Sequence, residues 1–129
     1  MRPLLPLAAF VLLAGCSFWA GDDPAGVDFD DYLDDRAALV AELEALIGSA
    51  EAESEAACRV VAVGHKACGG PAEYRVYSAT DSDADAVEAL AERIAELDRE
   101  AIERFGLVSD CAVAPEPAPA LVDGQCVAR

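Results

Sequence analysis

From residue 29 onward the apolar side chains fall at helical intervals. Phe29, Leu33, Val40, Leu43 and Ile47 are separated by three, four or seven positions, with Ala37 and Ala50 filling the same stripe. This spacing predicts one amphipathic helix from about Asp30 to Ala57. Acids at 28, 30, 31, 34 and 35 sit at its positive dipole end, where carboxylates stabilise. Gly48 costs about 1 kcal/mol relative to Ala inside a helix and marks a bend or break. A second stripe is more regular: Val87, Leu90, Ile94, Leu97, Ala101 and Phe105. It predicts a helix over Ser82–Phe105, capped by Thr80 or Ser82, with Asp83 and Asp85 in its first turn and Gly106 ready to end it.

The pattern changes between and after these stripes. Arg59–Val63 and Tyr74–Tyr77 are β-branched or aromatic runs bracketing Gly64, Gly69, Gly70 and Pro71, which predicts short strands or extended segments. Pro115, Pro117 and Pro119 impose an extended stretch, and Asp123-Gly124 signals a tight turn before Cys126. The expected fold class is mainly α: an antiparallel hairpin of two helices with short extended or β segments and a small C-terminal hairpin, braced by disulfides.

Ahead of the first stripe the chain is of another kind. Arg2 precedes an apolar run, Leu4–Leu13, that is about half the roughly 20 residues a spanning helix needs and is interrupted by Pro6. Small residues follow at Ala14 and Gly15, as in a cleaved secretory leader. Leu13-Ala14-Gly15-Cys16 resembles the lipobox of bacterial lipoproteins. The resemblance implies cleavage before Cys16, a diacylglyceryl group on its thiol and acylation of its new amine, palmitate-type chains that keep the protein on a membrane. Ser17, rather than Asp, follows the cysteine, which by the same resemblance directs the protein to the outer membrane, facing the periplasm. The organisation expected is therefore a signal peptide at 1–15, a flexible tether at 16–28 that is rich in Gly, Asp and Pro, and a domain at 29–129.

Charge narrows the partners. The chain carries 9 basic and 25 acidic residues, a formal charge of −16, and loss of Arg2 with the leader makes the mature protein one unit more negative. Such a field repels phosphates and anionic headgroups, so no nucleic-acid partner is expected and the lipid, not a basic patch, holds the protein to the membrane. The stretch Cys58–Tyr77 is the one mildly cationic part, with Arg59, Lys66 and Arg75 against Glu73.

Cys58, Cys68, Cys111 and Cys126 are an even set in an exported chain and predict two disulfides. Three pairings are open. The expectation is a local one, Cys58 with Cys68 and Cys111 with Cys126, since each pair brackets a turn-rich segment; each such loop is worth about 3 kcal/mol in the chain-entropy model.

Cys68-Gly69-Gly70-Pro71, taken with Cys58, Gly64, Lys66, Tyr74, Tyr77-Ser78, Ser109-Asp110-Cys111 and Gly124-Gln125-Cys126, resembles a group of small exported bacterial proteins of unassigned function. The likeness runs over roughly 58–127 and implies a shared fold and no activity. Ala67 stands here where the group carries proline before the second cysteine.

His65 and the four cysteines offer zinc-ligand types, but the paired CxxC knuckles are missing. Gly64-His65-Lys66 has a copper-tripeptide order without the free amine that chemistry uses. Asp81, Asp83, Asp85 and Glu92 match four ligand positions of a calcium loop, yet Ala86 replaces its glycine and Glu88 its apolar residue; helix capping accounts for these acids. No nucleophile elbow, HExxH or phosphate loop is present and there is a single histidine, so no catalytic residue, metal site or cofactor beyond the lipid on Cys16 is assigned.

The expected function is a non-enzymatic interaction module on an envelope lipoprotein, binding a protein or wall component through the rigid loop at Gly69, Gly70 and Pro71. Two alternatives are an inhibitor of an envelope or extracellular hydrolase, its loop stiffened by Cys58 and Cys68, and a thiol-redox or metal-binding protein acting through the same two cysteines.

Overall fold

The computed structural model describes residues 28–129; the leader, Cys16 and the tether up to Val27 lie outside it. Its elements are α1 (Phe29–Ile47), a single 3-10 turn (Glu55–Ala57), β1 (Cys58–Val63), β2 (Glu73–Ser78), α2 (Ala84–Phe105), β3 (Pro119–Val122) and β4 (Gln125–Ala128). Over the described residues the fold is mixed, with two α-helices and two antiparallel two-stranded sheets. This corrects the mainly α expectation.

Burial on α2 supplies the reason. Val87, Leu90, Ile94 and Ala101 are buried as the stripe predicts, but so are Ala91, Ala95 and Asp98 beside it. A stripe this wide is more than one partner helix can cover. α1 lies antiparallel against part of it, with Phe29 meeting Phe105 at 5.3 Å between ring centroids and Ser82 donating to the Ile47 carbonyl at the other end. The β1–β2 hairpin takes the remainder, burying Val61, Val63 and Tyr77 in the same core as Leu43, Ile47, Val87, Leu90 and Ile94.

Helix α1 begins at a capping box, in which the Asp28 side chain accepts from the helix backbone and the Asp31 side chain from the Asp28 N–H. It stops at Ile47, well short of Ala57. Gly48 adopts φ 58°, ψ −137°, Ala50 follows with φ 52°, and the chain turns away to run beside β4. Cys126 N–H donates to the Ala50 carbonyl and Ala52 N–H to that of Gly124, both at 2.9 Å. The apolar Ala50 therefore belongs to the core but not to the helix.

Helix α2 is capped by Asp83, whose carboxylate accepts from Ala86 N–H at 3.1 Å, rather than by Thr80 or Ser82. It ends at Gly106 in the left-handed conformation, where glycine carries no Cβ penalty. β1 and β2 pair from Cys58↔Ser78 to Val63↔Glu73. β3 and β4 are joined by Asp123-Gly124, both at positive φ as a type I′ turn requires.

The disulfides are Cys58–Cys126 and Cys68–Cys111, each with Cα atoms 5.3 Å apart. The local pairing expected from sequence is therefore incorrect, and strand geometry explains why. Cys58 opens the six-residue β1 and Cys68 lies in the loop beyond its far end. At about 3.3 Å per residue the strand alone carries the chain some 17 Å from Cys58, against the roughly 7 Å limit between bridged Cα atoms. The extended proline stretch separates Cys111 from Cys126 in the same way. The closed spans are 68 and 43 residues, worth about 4 kcal/mol each in the chain-entropy model rather than 3.

Candidate functional site: a cross-linked loop on a buried carboxylate

The loop between β1 and β2 is fixed from below by one side chain. Asp98, 3% exposed on α2, accepts from Tyr32 Oη at 3.0 Å, from Arg36 Nε at 2.7 Å and Nη2 at 3.3 Å, and from the backbone N–H of His65 at 2.9 Å. These four bonds tie both helices to the first residues of the loop. A buried carboxylate needs such partners, because desolvation without them is costly. The hydrogen bond to Asp98 raises the pKa of Arg36, and burial, reinforced by the Asp98 charge, raises that of the Tyr32 phenol.

Gly64 is where the strand meets this carboxylate. Its φ is +72°, and a Cβ there would lie 2.6 Å from Asp98 Oδ2 and 3.0 Å from Arg36 Nη2. Only glycine meets both demands.

Beyond His65 the loop folds on itself. Lys66 N–H donates to the Gly70 carbonyl at 3.0 Å, Gly69 N–H to the Lys66 carbonyl at 2.8 Å, and Ala72 N–H returns the chain to Val63 at 3.0 Å. A second segment crosses it after α2. Cys111 is bonded to Cys68, and Lys66 Nζ donates to Asp110 Oδ1 at 3.2 Å and to the Ala112 carbonyl at 2.6 Å. Asp110 in turn accepts from Ala112 N–H at 3.0 Å, and Ser109 Oγ from Cys111 N–H at 3.2 Å, which holds Cys111 at φ 56°. The bond from Ala112 N–H, with Lys66 adding to it, keeps the Asp110 carboxyl below its ordinary pKa. The Ser-Asp-Cys segment is thus a latch over the Cys-Gly-Gly-Pro loop. Gly69 and Gly70 stay exposed at its crest, with Pro71 half-buried behind them.

An open hollow of about 330 Å³ lies beside the latch, lined by Tyr32, His65, Lys66, Asp98, Leu107 and Asp110. Among the described residues no three His, Cys, Asp or Glu side chains converge as metal ligands, and no helix is long and apolar enough to cross a membrane. The acids in the order of a calcium loop are otherwise engaged: Asp83 caps α2 and Asp81 accepts from Glu51 N–H at 3.3 Å. Cys58 and Cys126 are buried at the base of β1, away from Cys68 and Cys111, so the four cysteines form two separate bridges.

The sequence pattern singles out Gly69, Gly70 and Pro71 but not Cys111 as the partner of Cys68, nor Tyr32, Arg36 and Asp98 beneath the loop. An aspartate one position past Leu97 reads as part of a solvated face. The available signal was Tyr32 and Arg36 on one face of α1, four residues apart, a spacing that presents two donors to one acceptor. No protein-family model, curated protein or solved structure matches this chain.

Proposed function

We propose that this protein is a lipid-anchored module of the bacterial cell envelope that binds a protein or wall component, without catalysis, through the loop at Gly69, Gly70 and Pro71. The lipobox-like Leu13-Ala14-Gly15-Cys16 supports the anchor and the address. The observation that carries the binding role is the bracing of one exposed loop by a disulfide, a lysine clamp and a buried carboxylate at once. Ordering a loop beforehand removes an entropic cost that binding otherwise pays, which is the physical use of such bracing.

A photo-crosslinking residue at Ala67, exposed on the loop, tests this in the producing bacterium against the same residue at Ala45, exposed on α1. Discrete adducts from position 67 and none from position 45 are expected. Adducts from neither, or from both alike, would remove the loop as the contact.

The same preorganised loop supports a second reading as an inhibitor of an envelope or extracellular hydrolase. Stoichiometric inhibition in a panel of peptidases and lysozymes, lost on reduction of Cys68–Cys111, would favour it over the first.

A further inference from the structure

The large apolar side chains left exposed among the described residues are Phe29 at 38%, Leu33 at 45%, Val108 at 93% and Val113 at 89%. They gather at one end of the domain. Phe29 stacks edge-on against Phe105 at the close of α2, and Leu33 follows one turn later on α1. Val108 lines the hollow beside Tyr32, and Val113 adjoins Ala112, whose carbonyl holds Lys66. The opposite end, where Ala52 bonds to Gly124 and Glu51 to Asp81, carries a groove lined by Glu51, Glu53, Asp81 and Asp123. The apolar end is also the end at which the chain enters α1 from Cys16.

We propose that this end, through Phe29, Leu33, Val108 and Val113, seats against the bilayer that holds the Cys16 lipid. The inference rests on the lipid-anchor reading above. Twelve residue steps separate Cys16 from Asp28 and reach at most about 40 Å. The entry to α1 is thus kept within about 40 Å of the surface, and at the high effective concentration of a tether a weak apolar contact suffices. Trp19, three positions after Cys16, has the amphipathic aromatic character that favours the headgroup region. Asp28, Asp30, Asp31, Asp34, Asp35 and Asp110 share the apolar end, so the seat suits neutral headgroups and is opposed by anionic ones.

The test uses the full chain purified from membranes, with Trp19→Phe as background and a reporter tryptophan introduced by Phe29→Trp, or by Glu53→Trp at the far end. Intact mass first establishes the lipid on Cys16 in the same sample. The protein is then placed in phosphatidylcholine vesicles with and without bromine on the acyl chains. Fluorescence at position 29 is expected to fall at least roughly twofold in brominated lipid while that at position 53 is unchanged. Replacing a third of the lipid with phosphatidylglycerol at low salt is expected to restore most of the lost signal. A lipidated protein quenched equally at both positions, or at neither, overturns the seat and leaves the anchor standing. A chain without lipid on Cys16 overturns both.

Discussion

Asp98 is the residue on which most of the loop's geometry depends, and its removal exposes the logic of the arrangement. Asp98→Asn leaves Arg36 without its counter-charge and weakens the bonds from Tyr32 and His65. It is expected to cost about 3 kcal/mol, read as a lower urea midpoint in the oxidised protein. Gly64→Ala meets the same carboxylate from the other side and is expected to cost about 3 kcal/mol, combining left-handed backbone strain with loss of a charged hydrogen bond. Because both changes damage one node, the double variant should lose clearly less than the sum; full additivity would show that they act independently. Tyr32 adds a pH signature. Its phenol is held neutral in the folded state, with a pKa raised above the ordinary value of 10.0, as is that of Tyr77. The stabilisation linked to these raised pKa values is complete below about pH 10 and is lost as pH rises through the folded values. Urea midpoints should therefore fall above about pH 10, and Tyr32→Phe should make that fall shallower.

Among the elements, legibility followed whether local signals agreed. α2 was readable nearly to the residue because its stripe, its acidic first turn and Gly106 all point the same way. α1 was extended ten residues too far because alanine and glutamate after Gly48 favour a helix locally, whereas Ala50 and Ala52 are drawn to β4 by backbone bonds that no local pattern records. The cysteine pairing failed for the same reason, since it is set by how two hairpins pack. The fold joins Cys68-Gly69-Gly70-Pro71 to Ser109-Asp110-Cys111 through a disulfide and Lys66, a contact between segments far apart in the chain. The two bridges should behave differently. Cys68 and Cys111 are exposed, whereas Cys58 and Cys126 are 6% and 7% exposed inside the core. Graded reduction with rapid alkylation should label Cys68 and Cys111 first. The Cys68→Ser/Cys111→Ser protein should then show faster amide exchange over 64–72 and 107–116 while α2 keeps its protection. Uniform acceleration across the chain would mean that the latch is part of the global fold rather than a local clamp.

Among the described residues, one well-satisfied and largely enclosed ion pair stands against a large excess of like charge. Arg36–Asp98 is partly buried and multiply hydrogen-bonded, whereas Lys66–Asp110, Arg75–Glu44, Arg75–Glu73 and Arg99–Glu92 lie at the surface, where solvent screening leaves each contributing little. With 25 acids against 9 bases, repulsion among unpaired carboxylates acts over the entire domain. Salt affects the two contributions in opposite directions. Raising ionic strength from about 0.01 M to 1 M shortens the Debye length from about 30 Å to 3 Å, which removes the long-range repulsion and leaves the enclosed Asp98 node little changed. Added sodium chloride is therefore expected to stabilise the oxidised protein by about 1 kcal/mol in urea titrations. The gain should persist in Asp98→Asn, since it arises from the surface. Destabilisation by salt would instead mean that the surface pairs outweigh the excess charge. Urea is the denaturant for this comparison because guanidinium chloride supplies the screening that the experiment sets out to vary.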